Sequence, residues 1–309
     1  MNPPEYKFIF LISNIYFFIF EEDKVGESKQ TVLITGASSG IGRETAIKLA
    51  EKGFHVIAAA RRENRLNNLA DQFQNITPKQ VDLSQADETE VFCRYLSELQ
   101  NPVTVLVNNA GYSVRGALED VSIDVIRRLF EVNLFALMRV TQACLPGMRK
   151  LRKGTIVNLS SMVGKFAFPC SGVYASAKYA VEGITDALRL ELAPFGIKVV
   201  AIRPGPIGTE FNEVSNNLSG DLMTKTDPDY KPIYQTAGAA TGKMFKGLSI
   251  PGPDLIADII LEAIFSNTPE AAYSAGPLSD EFLGKRENLD DKNFHNFMLE
   301  KFDLVNLQV

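Results

Sequence analysis

The chain has 309 residues, 45% of them hydrophobic, and a formal net charge of −5. This length fits one large α/β domain or two small ones with an extensive core. The mild acidity, without a basic cluster, argues against a nucleic-acid partner. Three cysteines that form no C-x-x-C pair predict neither a disulfide framework nor a zinc site, and two histidines leave little for histidine-based chemistry. No metal site is predicted, and a reducing, cytoplasmic location is the expectation.

Residues 1–29 are predicted to form an N-terminal extension. Within it, residues 8–20 are a 13-residue apolar run, which is shorter than the roughly 20 residues that span a bilayer. No small-residue cleavage site follows the run. Three interpretations stay open: a dispensable extension, which we favour, an anchor that contacts a membrane surface, and an artefact of an upstream start codon.

From residue 31 onward, short apolar runs rich in β-branched residues alternate with helical patterns. Strands are predicted at residues 31–35, 56–60, 103–107, 155–159, 198–203 and 271–274, with a further short strand that ends at residues 81–82. Helices are predicted at about residues 41–52, 88–100, 123–150 and 254–265, through Leu66 and Leu69, and from the Tyr174 region to residue 192. Such alternation predicts a parallel sheet covered on both faces. The predicted fold class is α/β, a doubly wound Rossmann fold with a mostly seven-stranded parallel sheet.

One domain is predicted over residues 30–276, because no internal repeat or Pro/Ser-rich linker divides the chain. Within it, residues 206–253 are rich in Gly, Asn, Ser, Thr and Asp, which predicts a substrate-recognition loop or a set of short helices. Residues 277–309 are a charged, Asn-rich C-terminal tail without a clear element pattern.

A glycine-rich turn, Gly36-Ala-Ser-Ser-Gly40-Ile-Gly42, follows the first predicted strand and opens a helix. Glycines permit a tight turn and let the backbone approach a pyrophosphate, which rests on the helix N-terminus. The spacing is GxxxGxG instead of GxGxxG, so the interpretation depends on the flanking strand and helix. The turn is predicted to bind a dinucleotide through Gly36, Ser38, Ser39, Gly40, Ile41 and Gly42.

Tyr174 and Lys178 are four residues apart, so on a helix they share one face. A phenol beside an ammonium can donate a proton near neutral pH, because at ~5 Å and an effective dielectric constant of ~20 their attraction lowers the phenol pKa by about 2. Further positive charge, such as an oxidised nicotinamide, is needed to bring that pKa into the physiological range. A Tyr and a Lys at this spacing are common on any helix, so the other motifs decide.

Five motifs in order resemble those of the classical short-chain dehydrogenases/reductases. They are Thr35-Gly-Ala-Ser-Ser-Gly-Ile-Gly42, Asn108-Asn-Ala-Gly111, Ser161 thirteen residues before Tyr174, Tyr174-x-x-x-Lys178 and Arg203-Pro-Gly-Pro-Ile-Gly-Thr209. They occur at family-like spacing across about residues 30–275. The segments Ala59-Ala-Arg-Arg62 and Leu192-Ala-Pro-Phe-Gly-Ile-Lys198 look like the branch that contains 17β-hydroxysteroid and retinol dehydrogenase-like enzymes.

The resemblance implies that Asn133, Ser161, Tyr174 and Lys178 form the catalytic set. Tyr174 is expected to be the general acid for carbonyl reduction or the base for alcohol oxidation. Lys178 is expected to lower the Tyr174 pKa, bind the nicotinamide ribose and begin a proton relay, while Ser161 holds the substrate oxygen. Asn133 matches the family Asn that distorts its helix and holds a relay water. Ser160 is the rival hydroxyl, but the thirteen-residue spacing favours Ser161.

For the cofactor, the resemblance implies three further groups of contacts along the predicted strand ends. These are Asp82 and Leu83 at the adenine, Asn109, Ala110 and Gly111 at the adenosine side, and Pro204, Gly205, Ile207 and Thr209 at the carboxamide.

Cofactor choice depends on the end of the second predicted strand. NAD-preferring members of the family usually carry an acid there, whereas this chain has Ala60 followed by Arg61 and Arg62. The loss of an acid and the gain of guanidinium groups suit a 2′-phosphate. NADP(H) is therefore the predicted cofactor, with NAD(H) as the alternative. The competing interpretation is that the arginines only face solvent.

The predicted function is an NADP(H)-dependent oxidoreductase that interconverts an alcohol and its ketone or aldehyde by hydride transfer. Two alternatives are a catalytically silent dinucleotide-binding regulator, which would not need the catalytic set, and an extended-type sugar-nucleotide epimerase, which the GxxxGxG spacing disfavours. The small-molecule substrate is predicted to contact residues 206–253 and the apolar side chains of Phe166, Phe168 and Val173, which favours a lipophilic compound. The resemblance also implies a homodimer or homotetramer formed through the long helices.

Overall fold

A computed structural model of the chain describes residues 30–211, 213, 215, 220 and 226–308. The predicted extension at residues 1–29, with its apolar run, lies outside these residues. Among the helices within the described ranges, none has both the length and the apolar character needed to cross a membrane.

Seven parallel strands form one sheet in the described part of the chain. The strands are β1 (Thr31–Thr35), β2 (His55–Ala60), β3 (Ile76–Gln80), β4 (Val103–Asn108), β5 (Gly154–Leu159), β6 (Ile197–Pro204) and β7 (Ala272–Ala275). Their order across the sheet is β3-β2-β1-β4-β5-β6-β7, which confirms the predicted doubly wound fold. The direction of winding reverses between β1 and β4, and in such folds the ligand crevice lies at the carboxyl ends of the strands at this point.

Helices alternate with the strands and cover both faces of the sheet. They are α1 (Gly40–Glu51), α2 (Glu63–Ala70), α3 (Ala86–Ser97), α4 (Ile123–Phe130), α5 (Ala136–Leu151), α6 (Gly172–Leu192), α7 (Lys231–Phe245), α8 (Asp254–Phe265), α9 (Ser279–Asn288) and α10 (Asp291–Lys301). The helix predicted at residues 123–150 is interrupted, because a π-helical turn at Glu131–Phe135 separates α4 from α5.

The two faces of β1 show why the strands are continuously apolar. Val32 and Ile34 belong to a core layer that includes Leu49 of α1, and all three are fully buried. Leu33 belongs to the opposite layer, which includes the buried Val140 of α5. A strand that is covered on both faces needs apolar residues at every position and not only at alternate ones.

Three helices lie where the sequence predicted no helix of this length. Helix α7 lies within residues 206–253, and its buried residues are Tyr234, Ala237 and Ala240. Helices α9 and α10 occupy the predicted C-terminal tail. The buried residues of α7 are mostly small, and those of α9 and α10 are few, so the apolar periodicity of these helices is weak.

The C-terminal helices are held by six phenylalanines, which we call the aromatic cluster. Its members are Phe166, Phe168, Phe282, Phe294, Phe297 and Phe302. The ring of Phe282 lies 5.3 Å from that of Phe166 and 5.1 Å from that of Phe168, measured between centroids. These contacts fix α9 and α10 against the loop that follows Ser161.

Candidate active site

The glycine-rich turn between β1 and α1 leaves no room for side chains at two of its glycines. Gly36 has φ +69°, and a Cβ atom there would lie 2.8 Å from Nδ2 of Asn109. At Gly42 a Cβ atom would lie 2.4 Å from the same Nδ2 and 2.6 Å from the carbonyl oxygen of Gly36. The close approach places the N-terminus of α1, an element suited to anion binding, beside the end of β4.

Thr35 and Asn109 join the ends of β1 and β4. The Thr35 hydroxyl accepts from the backbone N–H groups of Asn109, at 3.1 Å, and Ala110, at 3.0 Å. The Asn109 side-chain amide donates to the carbonyls of Thr35, at 2.9 Å, and Gly36, at 3.3 Å. The Asn109 side chain therefore fixes the shape of the glycine-rich turn.

Asn133 lies in the π-helical turn and is buried. Its side chain donates to the Tyr112 carbonyl at 2.8 Å and accepts from the Tyr112 N–H at 3.0 Å. A Cβ atom at Gly111 would lie 3.2 Å from Oδ1 of Asn133, so a glycine allows this close approach. The helix distortion expected at Asn133 is present, and π-helical turns of this kind often occur at functional sites.

The two arginines after β2 differ in exposure. Arg62 donates to the Ser39 hydroxyl at 2.5 Å and to the Ser38 hydroxyl at 3.2 Å, so it lies against the glycine-rich turn. Arg61 is exposed. Its charge acts on Tyr112, whose pKa is raised mainly by burial, with Arg128 and Arg61 opposing the rise.

Glu210, six residues after the end of β6, reaches the arginine side of the turn. One of its carboxylate oxygens accepts from Arg62 at 2.6 Å, and the other accepts from Arg65 at 2.6 Å. Hydrogen bonds from these two guanidinium groups lower the pKa of the Glu210 carboxyl group. We call Ser38, Ser39, Arg62, Arg65 and Glu210 the arginine cluster.

Ser161 and Tyr174 lie together at the end of β5, with the Ser161 hydroxyl close enough to the phenol to affect its pKa. The Ser161 hydroxyl also lies 3.4 Å from the Pro204 carbonyl oxygen, to which it can donate. Burial raises the pKa of Tyr174, against the opposing effects of the Ser161 hydrogen bond and the positive charge of Arg115. The lowered pKa expected from the sequence is therefore not found in the protein alone, because desolvation of the phenol outweighs the nearby charges.

Lys178 lies one turn after Tyr174 on α6 and is buried. Its Nζ atom donates to the Leu159 carbonyl at 2.6 Å and lies 5.7 Å from the centre of the Tyr174 ring. Burial lowers the pKa of Lys178 to about 8, although the carboxylate of Glu182 opposes this shift. Glu182 itself is held by two hydrogen bonds from Arg203, at 3.0 and 2.7 Å.

The rival hydroxyl, Ser160, is buried beneath this region. Its Oγ atom is without a hydrogen-bond partner among the described residues, and a Cβ atom at Gly164 would lie 2.6 Å from it. Ser160 is therefore enclosed by protein, whereas the Ser161 hydroxyl lies beside the Tyr174 phenol.

The segment after β6 returns to the glycine-rich turn. The Gly205 N–H donates to the Ala275 carbonyl at 2.7 Å, which ties this segment to β7. Ile207 is buried in the core. A Cβ atom at Gly40 would lie 3.2 Å from the side chain of Thr209, so the carboxamide-side segment and the glycine-rich turn are in close proximity.

The residues predicted beside the adenine lie after β3. Leu83 is buried, and the Asp82 carboxylate accepts from the Ser84 N–H at 2.9 Å. The Asp82 N–H donates to the Glu88 carboxylate at 2.8 Å. The contacts of Asp82 thus shape the turn into α3.

Two of the three apolar residues expected to face the substrate are buried against other apolar side chains of the protein. Phe166 is 2% exposed within the aromatic cluster, and Val173 is 4% exposed among Val114 and Leu129. Their predicted role as an apolar surface for substrate is therefore wrong. The aromatic ring next to Tyr174 belongs instead to Phe211, with 5.8 Å between the two ring centroids.

Helix α7 is tied to the loop after β4 by a polar network. The Tyr234 hydroxyl donates to the Asp120 carboxylate at 2.6 Å and accepts from the Ala117 N–H at 2.5 Å. The Thr226 hydroxyl donates to the same carboxylate at 2.6 Å. Burial raises the pKa of Asp120, but hydrogen bonds from Thr226, Tyr234 and the Asp227 backbone outweigh it and leave the pKa below its usual value.

Several residues of these networks were not identified from the sequence. Arg65 and Glu182 carry a local signal, since they lie one helical turn after Arg62 and Lys178. Glu210 and Tyr234 carry none, because their partners lie more than 100 residues away in the chain.

Comparisons with known proteins agree with the fold and the site. A family model described as short chain dehydrogenase matches residues 30–218. Retinol dehydrogenase 8 of Homo sapiens is 35% identical over 253 residues, which cover 78% of this chain and 79% of the human protein. The structure of a short-chain dehydrogenase from Streptomyces avermitilis has a TM-score of 0.74 at 31% identity and covers 90% of this chain and 98% of its own. A short-chain dehydrogenase from Sphingobium yanoikuyae in complex with NADPH has a TM-score of 0.67 at 26% identity, with coverage of 91% and 98%.

These similarities confirm the resemblance that the five motifs predicted, including its retinol dehydrogenase-like character. The enzyme class that follows is an oxidoreductase acting on CH–OH groups. The chain belongs to the short-chain dehydrogenase/reductase family.

Proposed function

We propose that the protein is an NADP(H)-dependent oxidoreductase that interconverts an alcohol and its ketone or aldehyde, with Tyr174 as general acid and base. The observation that carries this proposal is the convergence of three side chains at the end of β5. The Ser161 hydroxyl lies beside the Tyr174 phenol, and the buried Lys178 ammonium lies 5.7 Å from the centre of the Tyr174 ring. These side chains lie at the carboxyl edge of the sheet, where ligands bind in doubly wound folds.

In carbonyl reduction, the substrate oxygen accepts hydrogen bonds from the hydroxyls of Ser161 and Tyr174. Ser161 stabilises the negative charge that develops on this oxygen. The raised pKa of Tyr174 keeps the phenol protonated at neutral pH, so it is ready to transfer its proton to the oxygen. In alcohol oxidation the same phenol must first lose its proton, so additional positive charge beside it is required.

Lys178 is the next group in the proposed proton path. Its ammonium is held by the Leu159 carbonyl, and a pKa of about 8 lets it exchange a proton near neutral pH. We propose that it also binds the nicotinamide ribose. Asn133 is proposed to position the relay water through the distorted turn in which it lies, because this turn interrupts the regular helical hydrogen bonding.

The cofactor is a nicotinamide dinucleotide, which when bound supplies or accepts the hydride. The glycine-rich turn fits its pyrophosphate, because the Ser39 hydroxyl accepts from Arg62 and does not cap the first turn of α1, which leaves backbone N–H groups for an anion. We assign the adenosine side to Asp82, Leu83, Asn109, Ala110 and Gly111. We assign the carboxamide side to Pro204, Gly205, Ile207 and Thr209.

Preference for NADP(H) over NAD(H) is supported by the residues after β2. The strand ends in Ala60 and not in an acid, and Arg62 lies against two serine hydroxyls of the glycine-rich turn. Guanidinium and hydroxyl donors suit a 2′-phosphate. The Sphingobium yanoikuyae neighbour, whose structure contains NADPH, supports the same choice.

A lipophilic substrate is supported by the ring of Phe211 beside Tyr174 and by the similarity to a retinol dehydrogenase. We further propose a homodimer or homotetramer through α5 and α6, the longest helices among the described residues, and a cytoplasmic location. Light scattering of the purified chain tests the oligomer.

The testing experiment is a screen of NADPH oxidation with steroids, retinoids and simple aldehydes. At least one class is expected to be reduced, with a higher kcat/KM for NADPH than for NADH. Tyr174→Phe is expected to lower kcat about 10³-fold, because the proton donor is lost, while the NADPH Kd changes by less than about twofold. Tyr179→Phe, on the exposed side of the same helix, is the matched control and retains activity.

Turnover by Tyr174→Phe at the wild-type rate would overturn the catalytic assignment. A clear preference for NADH would overturn the cofactor assignment alone.

A further inference from the structure

The arginine cluster holds a carboxylate in the place where the proposed function needs a phosphate. Arg62 is bound at once to Ser38, to Ser39 and to Glu210, so its guanidinium sits between the glycine-rich turn and the carboxylate. The two oxygens of Glu210 each accept from a different arginine at 2.6 Å. Guanidinium groups bind carboxylates and phosphates through the same arrangement of donors.

We propose that Glu210 is an internal competitor for the 2′-phosphate of NADP(H), and that Arg65 joins Arg62 in binding that phosphate when Glu210 is displaced. The inference rests on the proposed function, since it places the adenosine ribose at the end of β2. It adds Glu210, a residue from the segment after β6, to the set that decides cofactor affinity.

Charge balance explains why the phosphate can replace the Glu210 carboxylate on the two arginines. The two guanidinium groups carry two positive charges, and the ionised Glu210 carboxylate neutralises one of them. A phosphate monoester carries a charge of about −1.5 to −2 at neutral pH and has three acceptor oxygens. It therefore neutralises both arginines and still accepts from the serine hydroxyls.

The exposure of the cluster explains why Glu210 can leave. The side chains of Arg62, Arg65 and Glu210 are 39%, 42% and 40% exposed. Ion pairs with this much solvent contact are weak. Glu210 therefore reduces the affinity for the phosphate by a moderate factor and does not block its site.

The competition acts on one cofactor only. NAD(H) carries a 2′-hydroxyl, which does not need the guanidinium groups to be released from Glu210. Removing the Glu210 charge is therefore expected to tighten NADPH binding and to leave NADH binding unchanged.

The test measures the Kd of NADPH and of NADH for the full chain and for Glu210→Gln, with 2′,5′-ADP and 5′-AMP as probes of the ribose end alone. In the variant, the Kd of NADPH and of 2′,5′-ADP is expected to fall by about three- to tenfold, because the two weak ion pairs of Glu210 no longer compete with the phosphate. The Kd of NADH and of 5′-AMP is expected to stay within about twofold. Glu213→Gln removes an exposed charge from the same segment and is the matched control.

Arg65→Gln tests the second half of the proposal. It is expected to weaken NADPH binding and to cancel most of the gain when combined with Glu210→Gln. Glu210→Ala, as a second variant at the same position, should repeat the effect of Glu210→Gln.

An unchanged or raised NADPH Kd in both Glu210 variants would overturn the proposal, and a raised value would mean that Glu210 holds the arginines in place for the phosphate. If the wild-type chain itself binds NADH more tightly than NADPH, the proposed cofactor preference fails instead. The two failures are therefore distinguishable in the same titration.

Discussion

The two halves of the proposed cofactor and substrate crevice are built in different ways. The nucleotide half, around the glycine-rich turn, is formed by backbone atoms and short side chains at strand ends, such as Thr35 and Asn109. The proposed substrate half is supported from behind by long side chains that join distant segments, such as Asp120 with Tyr234 and Phe166 with Phe282. A site formed by closely packed backbone atoms tolerates few substitutions, whereas contacts between side chains can be made by many different residue pairs. The nucleotide half therefore carries a motif, and the substrate half can vary.

The first prediction concerns a substitution that disrupts the substrate half alone. Phe282 is fully buried, and its ring contacts Phe166, Phe168 and Phe297. Phe282→Ala is expected to lower the free energy of unfolding by about 3–5 kcal/mol, because it leaves a cavity in the aromatic cluster. Denaturant unfolding measures this change. The substrate KM should rise as α9 loosens, while the NADPH Kd stays the same.

Phe265→Ala is the control for this prediction, since that ring is 42% exposed and its loss should cost far less stability. A large rise in the NADPH Kd of Phe282→Ala would show that the two halves are not separable.

The second prediction concerns Lys178, which lies between the halves. Its pKa falls from 10.5 to about 8 in the folded protein, so the unfolded chain binds the extra proton between these pH values. The contribution of Lys178 to stability therefore increases as pH rises from about 8 to 10.5, by up to about 3 kcal/mol. Lys178→Met removes this dependence, so the stability of the wild type should rise relative to that of the variant over this range.

Denaturant unfolding at several pH values measures the difference, with the exposed Lys246→Met as control. A difference between wild type and Lys178→Met that stays constant with pH would contradict the lowered pKa of Lys178. Lys178→Met should also lose activity, because it lacks the Lys178 ammonium that takes part in the proposed relay.

The third prediction concerns a substitution that disrupts the nucleotide half. In Gly42→Ala the new Cβ atom meets Asn109 Nδ2 at 2.4 Å and the Gly36 carbonyl oxygen at 2.6 Å. Overpacking of this kind costs about 1–3 kcal/mol, and the NADPH Kd should rise about tenfold or more as the turn shifts. Titration of NADPH measures the rise. Gly183→Ala, where a Cβ atom meets nothing within 4 Å, should leave the Kd unchanged, and equal Kd values for both variants would refute the argument.

The sheet and the nucleotide half were predictable from the sequence for a physical reason. Strands buried on both faces produce continuous apolar runs, and the crowding at Gly36 and Gly42 admits only glycine, so local patterns record both. The position of Tyr174 and Lys178 on one helical face was also predictable, because the two residues are four apart in the sequence.

The remaining features depend on contacts that no local pattern records. The π-helical turn at Asn133 changes the hydrogen bonding of a helix without changing its apolar period, so the apolar pattern predicted a continuous helix and only the family resemblance implied a distortion. The burial of Phe166 depends on Phe282 and Phe294, which lie more than 100 residues further along the chain. The raised pKa of Tyr174 depends on desolvation, which the spacing of Tyr174 and Lys178 does not reveal.

Tyr234→Phe is expected to have a more modest effect, because it removes a single oxygen atom from the substrate half. The variant loses the hydrogen bond to Asp120 and leaves the buried Ala117 N–H without its acceptor. Asp120 keeps the hydrogen bond from Thr226, so the loss of stability should be about 1–2 kcal/mol. Because α7 and the loop after β4 are then less firmly joined, the substrate KM should rise a few-fold while the NADPH Kd and the pH profile of kcat stay the same. Tyr230→Phe, which removes a hydrogen bond to Glu119 at the exposed surface, is the matched control. If Tyr234→Phe raised the NADPH Kd more than the substrate KM, the network would belong to the cofactor site, and the division of the crevice into two halves would be wrong.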